Sequence, residues 1–206
     1  MATSSAFALL LVDDALVVFH LAAAREAQRH AGFRGARWLV VGELGALVAV
    51  GWDDHVELRR IATGRLAARL EAAVAAVAFG RHDLELLLGE GDGLVGRAVP
   101  SLERRWEQPT SGRVAEVASG GWFVDGSGVR RWDGEQLGPA QAPWPHVTAN
   151  GDGAVAWGPR GIWTLSDGRL HPVDATAVAA HPDGRHALVG DQDGEVRLIR
   201  LSDPAV

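Results

Sequence analysis

The sequence predicts an all-β fold made of about six short antiparallel sheets. Two observations carry this: a tight turn between apolar runs recurs along the whole chain, and positions counted from each turn agree in character. Composition fits both, since 47% of the 206 residues are hydrophobic, 22% are charged and 26 are glycine, a globular balance leaning towards strands and turns. The whole of residues 1–206 is read as a single domain, long enough to bury a full core.

The turns are Asp14-Ala15, Asp54-His55, Asp92-Gly93, Ser127-Gly128, Arg160-Gly161 and Asp193-Gly194, with second positions 40, 38, 35, 33 and 33 residues apart. A period of this size marks repeat architectures, whose units bury apolar faces only against their neighbours. Directly after the first five turns stand Leu16, Val56, Leu94, Val129 and Ile162, with Val196 one residue further on after the sixth, and five residues before the turns' second positions stand Leu10, Val50, Leu88, Phe123, Ala156 and Val189. All are apolar. Strand side chains alternate faces with period two, so a register error would scramble this agreement.

Taken in order, the first unit has "AFALLLV" before its turn and "LAAAREAQRHA" (21–31) after it. Ala, Glu, Gln and Arg favour a helix in that last segment, but its first residues occupy the slot where "ATGR" (62–65) makes a turn in the second unit, so turn plus strand is expected. The second unit reads as four strands, "ARWLVVGEL", "ALVAVGW", "HVELRRIA" and "RLAARLE". The third repeats the order with "VAAVAFG", "LELLLGE", "LVGRAV" and "RRWEQ". In the fourth and fifth units Trp122 and Trp157 fall inside second strands, as core or inter-unit packing. The sixth carries the cleanest copy, "VAAHPDGRHALVGDQDGEVRLIRLSD" (178–203). "TGR", "GRHD", "SDGR" and "HPDGR" punctuate the links between strands.

Four-stranded antiparallel units at this spacing build β-propellers, so the expected fold is a β-propeller of about six short four-stranded antiparallel blades. Residues 178–203 resemble the central part of a WD repeat, with Pro182-Asp183-Gly184 in the first turn, Gly190 after the second strand, Asp193-Gly194 in the hairpin and "EVRLIRL" as the third strand. Residues 48–65, "VAVGWDDHVELRRIATGR", resemble the same segment, and Trp132-Asp133 takes the slot of the family's Trp-Asp dipeptide. The other five units replace that dipeptide, and the Gly-His pair usual before a first strand is missing. The resemblance therefore implies a divergent bacterial WD-like propeller without the usual hydrogen-bonded tetrad. Only "MATSSA" precedes the first unit's second strand, and only "SDPAV" follows the last unit's third. The first blade is thus expected to lack an innermost strand, the last an outermost one, and the ring to close imperfectly.

Charge and motifs narrow the function. The net charge is −6, from 26 acidic and 20 basic residues spread along the chain, and this leaves no basic stripe for nucleic acid. All the basic residues are arginine, a bias of GC-rich bacterial genomes, and cysteine is absent, which removes thiol nucleophiles and thiolate metal sites. The short apolar start lacks a basic flank and meets Asp13-Asp14, unlike a signal peptide or a membrane span, so a cytoplasmic location away from membranes is expected.

"GDGLVG" (91–96) matches a dinucleotide fingerprint in letters but runs into β-rich sequence and Pro100, not into a helix. "DQDGE" (191–195) lacks the outer ligands of a calcium loop, having Val189 and Arg200 in their places. His181 and His186 have no zinc spacing, and Ser127 in "DGSGV" has no nucleophile elbow. No catalytic residue, cofactor or metal ligand is assigned.

The eight tryptophans remain. Trp52, with Asp53, Asp54 and His55, Trp106, with Arg104 and Arg105, and Trp144, with His146, lie at strand ends or connections, and Arg160 lies in a hairpin turn. These are the candidate protein-binding residues, because Trp beside Arg is typical of interaction hot spots. The alternative is that the indoles cap blade ends against water. The expected function is a non-catalytic scaffold or adaptor for other proteins of a bacterial complex. A lactonase or glycoside-processing propeller, with acids gathered over a central channel, is the other reading.

Overall fold

A computed structural model describes residues 2–3, 7–42, 44–132, 145–150, 153–158, 161–164, 168–181 and 184–201. Among the described residues there are six antiparallel sheets, and the only helical element is a 3-10 turn at Arg81–Asp83. The first sheet runs β1 (Ala2–Thr3), β2 (Phe7–Val12), β3 (Ala15–His20), β4 (Arg25–Ala31). The second runs β5 (Trp38–Val41), β6 (Leu47–Gly51), β7 (Val56–Arg60), β8 (Leu66–Leu70). The third is β9 (Val74–Phe79), β10 (Glu85–Glu90), β11 (Gly93–Ala98), β12 (Arg104–Pro109). The fourth has three described strands, β13 (Glu116–Ala118), β14 (Trp122–Asp125) and β15 (Gly128–Arg131). The fifth is β16 (His146–Asn150), β17 (Gly153–Gly158), β18 (Gly161–Thr164), β19 (Arg169–His171), and the sixth is β20 (Ala177–Ala180), β21 (His186–Gly190), β22 (Val196–Arg200).

The expected turn and strand at 21–31 are present, as the turn at 21–24 and β4. "GDGLVG" forms a hairpin turn and the start of β11. One expectation fails. The first sheet does have an innermost strand, because β1 pairs with β2 through Ala2↔Leu9 and Thr3↔Ala8. Two residues suffice for that pairing, too few to leave an alternation signal in sequence.

Shared hydrogen bonds make the sheets copies of one design. Between the first and second strands, the amides of Gly42, Gly80 and His181 donate to the carbonyls of Leu47, Glu85 and His186 at 3.0, 2.8 and 2.8 Å. After the third strand, the amides of Ile61, Val99, Trp132 and Leu201 donate to the carbonyls of Ala46, Leu84, Gly121 and Arg185 at 3.1, 3.1, 2.9 and 2.7 Å. The first of these turns closes on Gly45, Asp83 or Gly184, all with positive φ (67°, 56° and 72°). Glycine fits that conformation without steric cost. Asp83 tolerates it while its buried carboxylate accepts the amide of Leu44, at 2.9 Å, in the turn of the neighbouring sheet.

The chain divides into two compact units, residues 1–91 with 95–107, and residues 92–94 with 108–206. In the first unit, Leu9, Leu16 and Val18 pack with Val48, Val50 and Ile61 around Phe33. From the opposite face of the second sheet, Ala49, Val56 and Leu58 pack with Val74, Phe79, Leu86, Leu88 and Leu102. The second unit repeats this arrangement. Ala118, Trp122, Val124 and Val129 meet Val147, Ala154 and Ala156, while Val155, Ile162 and Ala175 meet Ala187, Val189 and Leu201. Neighbouring residues of β6 and β17 thus enter different clusters, as a strand buried on both faces requires.

Of the positions chosen by register, nearly all are buried; Leu10 is half-buried and Val196 is exposed. Three indoles lie flat over glycine, Trp38 over Gly51, Trp106 over Gly96 and Trp132 over Gly121, where a Cβ would enter the ring.

Phe123 is fully buried on the face of β14 opposite Trp122 and Val124. Phe123→Ala is expected to cost about 3–5 kcal/mol, read as a lower urea midpoint with an unchanged slope.

Candidate functional site

In the second, fourth and sixth sheets, the turn between second and third strands shares an edge with the connection that leads into the sheet, through the amides of Arg37, Gly126 and Thr176 and the carbonyls of Gly51, Ser111 and Gly190. At this edge of the second sheet the connection 32–37 is clipped down from both ends. The amide of Phe33 donates to the Asp14 carbonyl at 2.9 Å, and Trp52 Nε1 donates to the Arg34 carbonyl at 2.9 Å. The Trp52 ring stacks on His55 with centroids 4.5 Å apart and planes at 7°, and faces Phe33 at 6.3 Å. The Arg59 guanidinium lies 4.9 Å from the Phe33 centroid. Arg37 grips Asp53 with both nitrogens, Nε to Oδ1 at 3.1 Å and Nη2 to Oδ2 at 3.0 Å.

Trp52 is half-buried and anchors the connection. Asp53 and Asp54 remain exposed above it. His55 Nδ1 lies 2.6 Å from Asp54 Oδ1, and this hydrogen bond holds the Asp54 carboxyl below its ordinary pKa.

The second predicted group lies on β12. The Trp106 indole donates to Glu85 Oε1 at 2.7 Å, so this tryptophan too has a structural partner. Arg104 pairs with Glu107 at 2.7 Å and approaches Glu90 at 3.9 Å, while Glu90 is held by both Nε and Nη2 of Arg97 at 2.7 and 3.0 Å. Arg105 is exposed. The structure places these residues and the Trp52 group on different sheets. Trp144 and Arg160 lie outside the described residues.

His146 begins β16, stacks on Trp157 at 4.0 Å and 20°, and sets Nδ1 3.3 Å from Glu116 Oε2. That oxygen also accepts the amide of Val147 at 2.7 Å, tying β13 to β16. Burial pushes the Glu116 carboxyl above its ordinary pKa, and the Val147 amide and His146 only partly offset it. Asp125 shows the reverse balance. Burial would raise it, but the Ser127 hydroxyl at 2.7 Å, the amides of Ser111 and Ser127 at 2.9 and 2.8 Å, and the Arg130 guanidinium at 3.7 Å pull it below the usual carboxylate range.

Sequence reasoning passed over Glu116, Arg37, Phe33 and Asp125. Asp125 had a readable signal, an Asx residue two before a turn serine. Arg37 and Glu116 find their partners 16 and 31 residues away, so no local pattern marks them. Among the described residues, no three His, Asp or Glu side chains are grouped to hold a metal ion, and no helix is long and apolar enough to cross a membrane.

No family model matches the chain, and no curated protein matches it in sequence. Solved structures do match it in shape. U3-55K superposes with a TM-score of 0.75 at 16% identity, over 95% of this chain and 73% of that one. The WD40 repeats of RRP9 give 0.74 at 15% identity over 95% and 72% of the two chains. Kluyveromyces lactis Hsv2 gives 0.69 at 15% identity over 97% and 71%. The chain has the fold of a WD40-like β-propeller. Its sheets are accordingly blades, and the edge that holds Trp52 and His55 carries the inter-blade connections. Trp132 of the expected Trp-Asp pair follows β15, while Asp133 lies outside the described residues.

The Glu116 balance makes a pH prediction. A carboxyl whose pKa is raised by folding is tolerated best when protonated, so its stabilising effect is lost as pH rises through the folded value. Glu116→Gln keeps an acceptor for the Val147 amide without the charge. Its melting temperature relative to wild type should increase between about pH 4 and about pH 8, in thermal melts at matched ionic strength; a decrease would mean that His146 outweighs burial.

Proposed function

We propose that this propeller is a non-catalytic scaffold or adaptor that holds other proteins together in a multi-protein bacterial complex. The observation that carries the reading is the WD40-like fold over nearly the whole chain, an architecture generally used for protein interaction. Three of its buried or half-buried carboxylates support it, being committed to structure. Asp125 fastens the 111–127 edge of the fourth blade, Glu57 pairs with Arg59 at 2.7 Å, and Glu90 pairs with Arg97. Each such group is satisfied by the protein itself, as a rigid platform requires.

The bacterial source rests on the arginine-only basic composition and is part of the proposal, as is a cytoplasmic location. Asp53, Asp54, Arg104 and Arg105 are exposed, and their charges suit recognition of a partner more than internal stability, since exposed ion pairs contribute about 0–1 kcal/mol.

The test is recovery from the native host at near-native abundance. The chain should come out in a complex of defined composition, and isolation alone would overturn the reading. Arg105→Glu should weaken that complex about tenfold, or about 1.4 kcal/mol, with stability within about 0.5 kcal/mol of wild type.

A further inference from the structure

Three side chains meet the His55 ring at the connection edge of the second blade, and each meets it differently. Trp52 lies flat on one face, with centroids 4.5 Å apart and planes at 7°. Asp54 Oδ1 stands 2.6 Å from Nδ1, and Glu57 Oε1 stands 4.0 Å from Nε2. The ring is enclosed between them, its side chain 12% exposed, while Asp54 is 80% exposed above it. The other charges around the ring belong to four segments. Glu57 is held by Arg59 at 2.7 Å and Arg69 at 3.6 Å, Arg69 also pairs with Glu71 at 2.6 Å, and Asp53 is gripped by Arg37 at 3.0 Å. In the connection Arg34 is exposed and makes no ion pair among the described residues, and Asp13 and Asp14 are exposed on the turn of the first blade.

A carboxylate can only accept, so the 2.6 Å contact puts a hydrogen on Nδ1. A neutral imidazole has one N–H, which leaves a lone pair on Nε2 facing the Glu57 oxygen. Two electron-rich atoms then oppose each other. A proton on Nε2 reverses this, because the ring donates towards both carboxylates and its stack on Trp52 becomes a cation over an indole face. Asp54 stays ionised through the change, since its hydrogen bond with His55 holds its carboxyl below the ordinary pKa. We propose that His55 is a proton-operated latch on the 32–37 connection, closed when Nε2 takes up a proton and loosened when the ring gives it back. Contacts that need the imidazolium are present in acid and lost as pH rises, so the connection is held more weakly in neutral solution.

The ring reaches the connection by two routes. Trp52, on which it stacks, donates Nε1–H to the Arg34 carbonyl at 2.9 Å, and the Trp52 amide donates to the carbonyl of His55 itself at 2.9 Å. Glu57 leads through Arg59 to Phe33, whose centroid lies 4.9 Å from the guanidinium and whose amide donates to the Asp14 carbonyl at 2.9 Å. Closure therefore firms both ends of the clip. It also removes from the edge part of the negative charge that Asp54 displays, so the surface grows more negative as its connection loosens.

Amide hydrogen exchange of the purified full chain, followed by NMR at pH 5 and pH 8, tests the latch on either side of the range in which imidazoles titrate. Protection factors taken against an unfolded reference at the same pH remove the intrinsic pH dependence of exchange. The Phe33 and Trp52 amides should be about threefold or more better protected at pH 5. The Gly42 amide, bonded to the Leu47 carbonyl at 3.0 Å at the opposite edge of the same blade, should change by less than about twofold. Both differences at Phe33 and Trp52 should vanish in His55→Gln. The ring nitrogen signals that this variant lacks belong to His55, and in wild type they should show hydrogen on Nδ1 alone at pH 8 and on both nitrogens at pH 5.

Unchanged protection at Phe33 and Trp52 overturns the proposal, as does an equal gain at Gly42, which would mark a change in the stability of the whole chain. The same gain in His55→Gln would assign it to another group, and hydrogen on Nε2 alone at pH 8 would remove the opposition between lone pair and carboxylate. Asp54→Asn, at an exposed position, serves if His55→Gln does not fold: it takes away one of the two anions and should shrink the gain at Phe33 and Trp52, and a gain of wild-type size overturns the latch. All of this is read on the isolated chain, so failure here leaves the scaffold reading standing.

Discussion

Apolar packing of one sheet face on the next is the constraint on which the rest of this structure depends. A strand buried on one face can alternate apolar with polar residues; β6, β10 and β17 cannot, because neighbouring residues enter different inter-sheet clusters or are buried side by side. Hence the runs "LVAVG" and "ELLLGE". No blade is stable in isolation on such terms, since half of its apolar side chains belong to cores completed by another blade. Polar chemistry is driven to the outer strands and the edges, where Arg97 with Glu90 and Arg37 with Asp53 are found.

The edges are kept in order by backbone devices more than by side chains. Repeated amide-to-carbonyl bonds set where each strand begins, and a positive-φ residue closes the turn between first and second strands. Asp83 shows how a non-glycine enters that slot: its carboxylate reaches across to the neighbouring turn and turns a local strain into an inter-blade tie. Gly42 sits against that carboxylate with no room for a side chain, so the two positions constrain each other.

Much of the fold was legible because its signals are local. Two-residue turns, period-two burial and glycine punctuation place the hairpins of the second and third blades within a residue or two of the strands observed. What escaped depends on contacts between segments far apart in sequence. Trp52 reads in sequence as a candidate binding residue or a cap of the blade end, but the carbonyl that its indole serves, in the preceding connection, could not be read there. The Glu116 and His146 pair joins two blades and leaves no mark in either stretch alone. Val196 has the same apolar character as Val56, and sequence has no means of saying that one is covered and the other not.

The placement of the tryptophans has an optical consequence. All eight lie between positions 38 and 163, several seated over glycine or stacked on histidine within the second to fifth blades. The chain has no tyrosine, so the first and sixth blades carry no fluorophore beyond phenylalanine. Intrinsic emission therefore senses the two terminal blades only through their neighbours, by way of Trp52 in the cluster shared with the first blade and Trp157 in the cluster shared with the sixth. A shift of emission on heating that precedes the far-ultraviolet change would mark the opening of those two shared clusters.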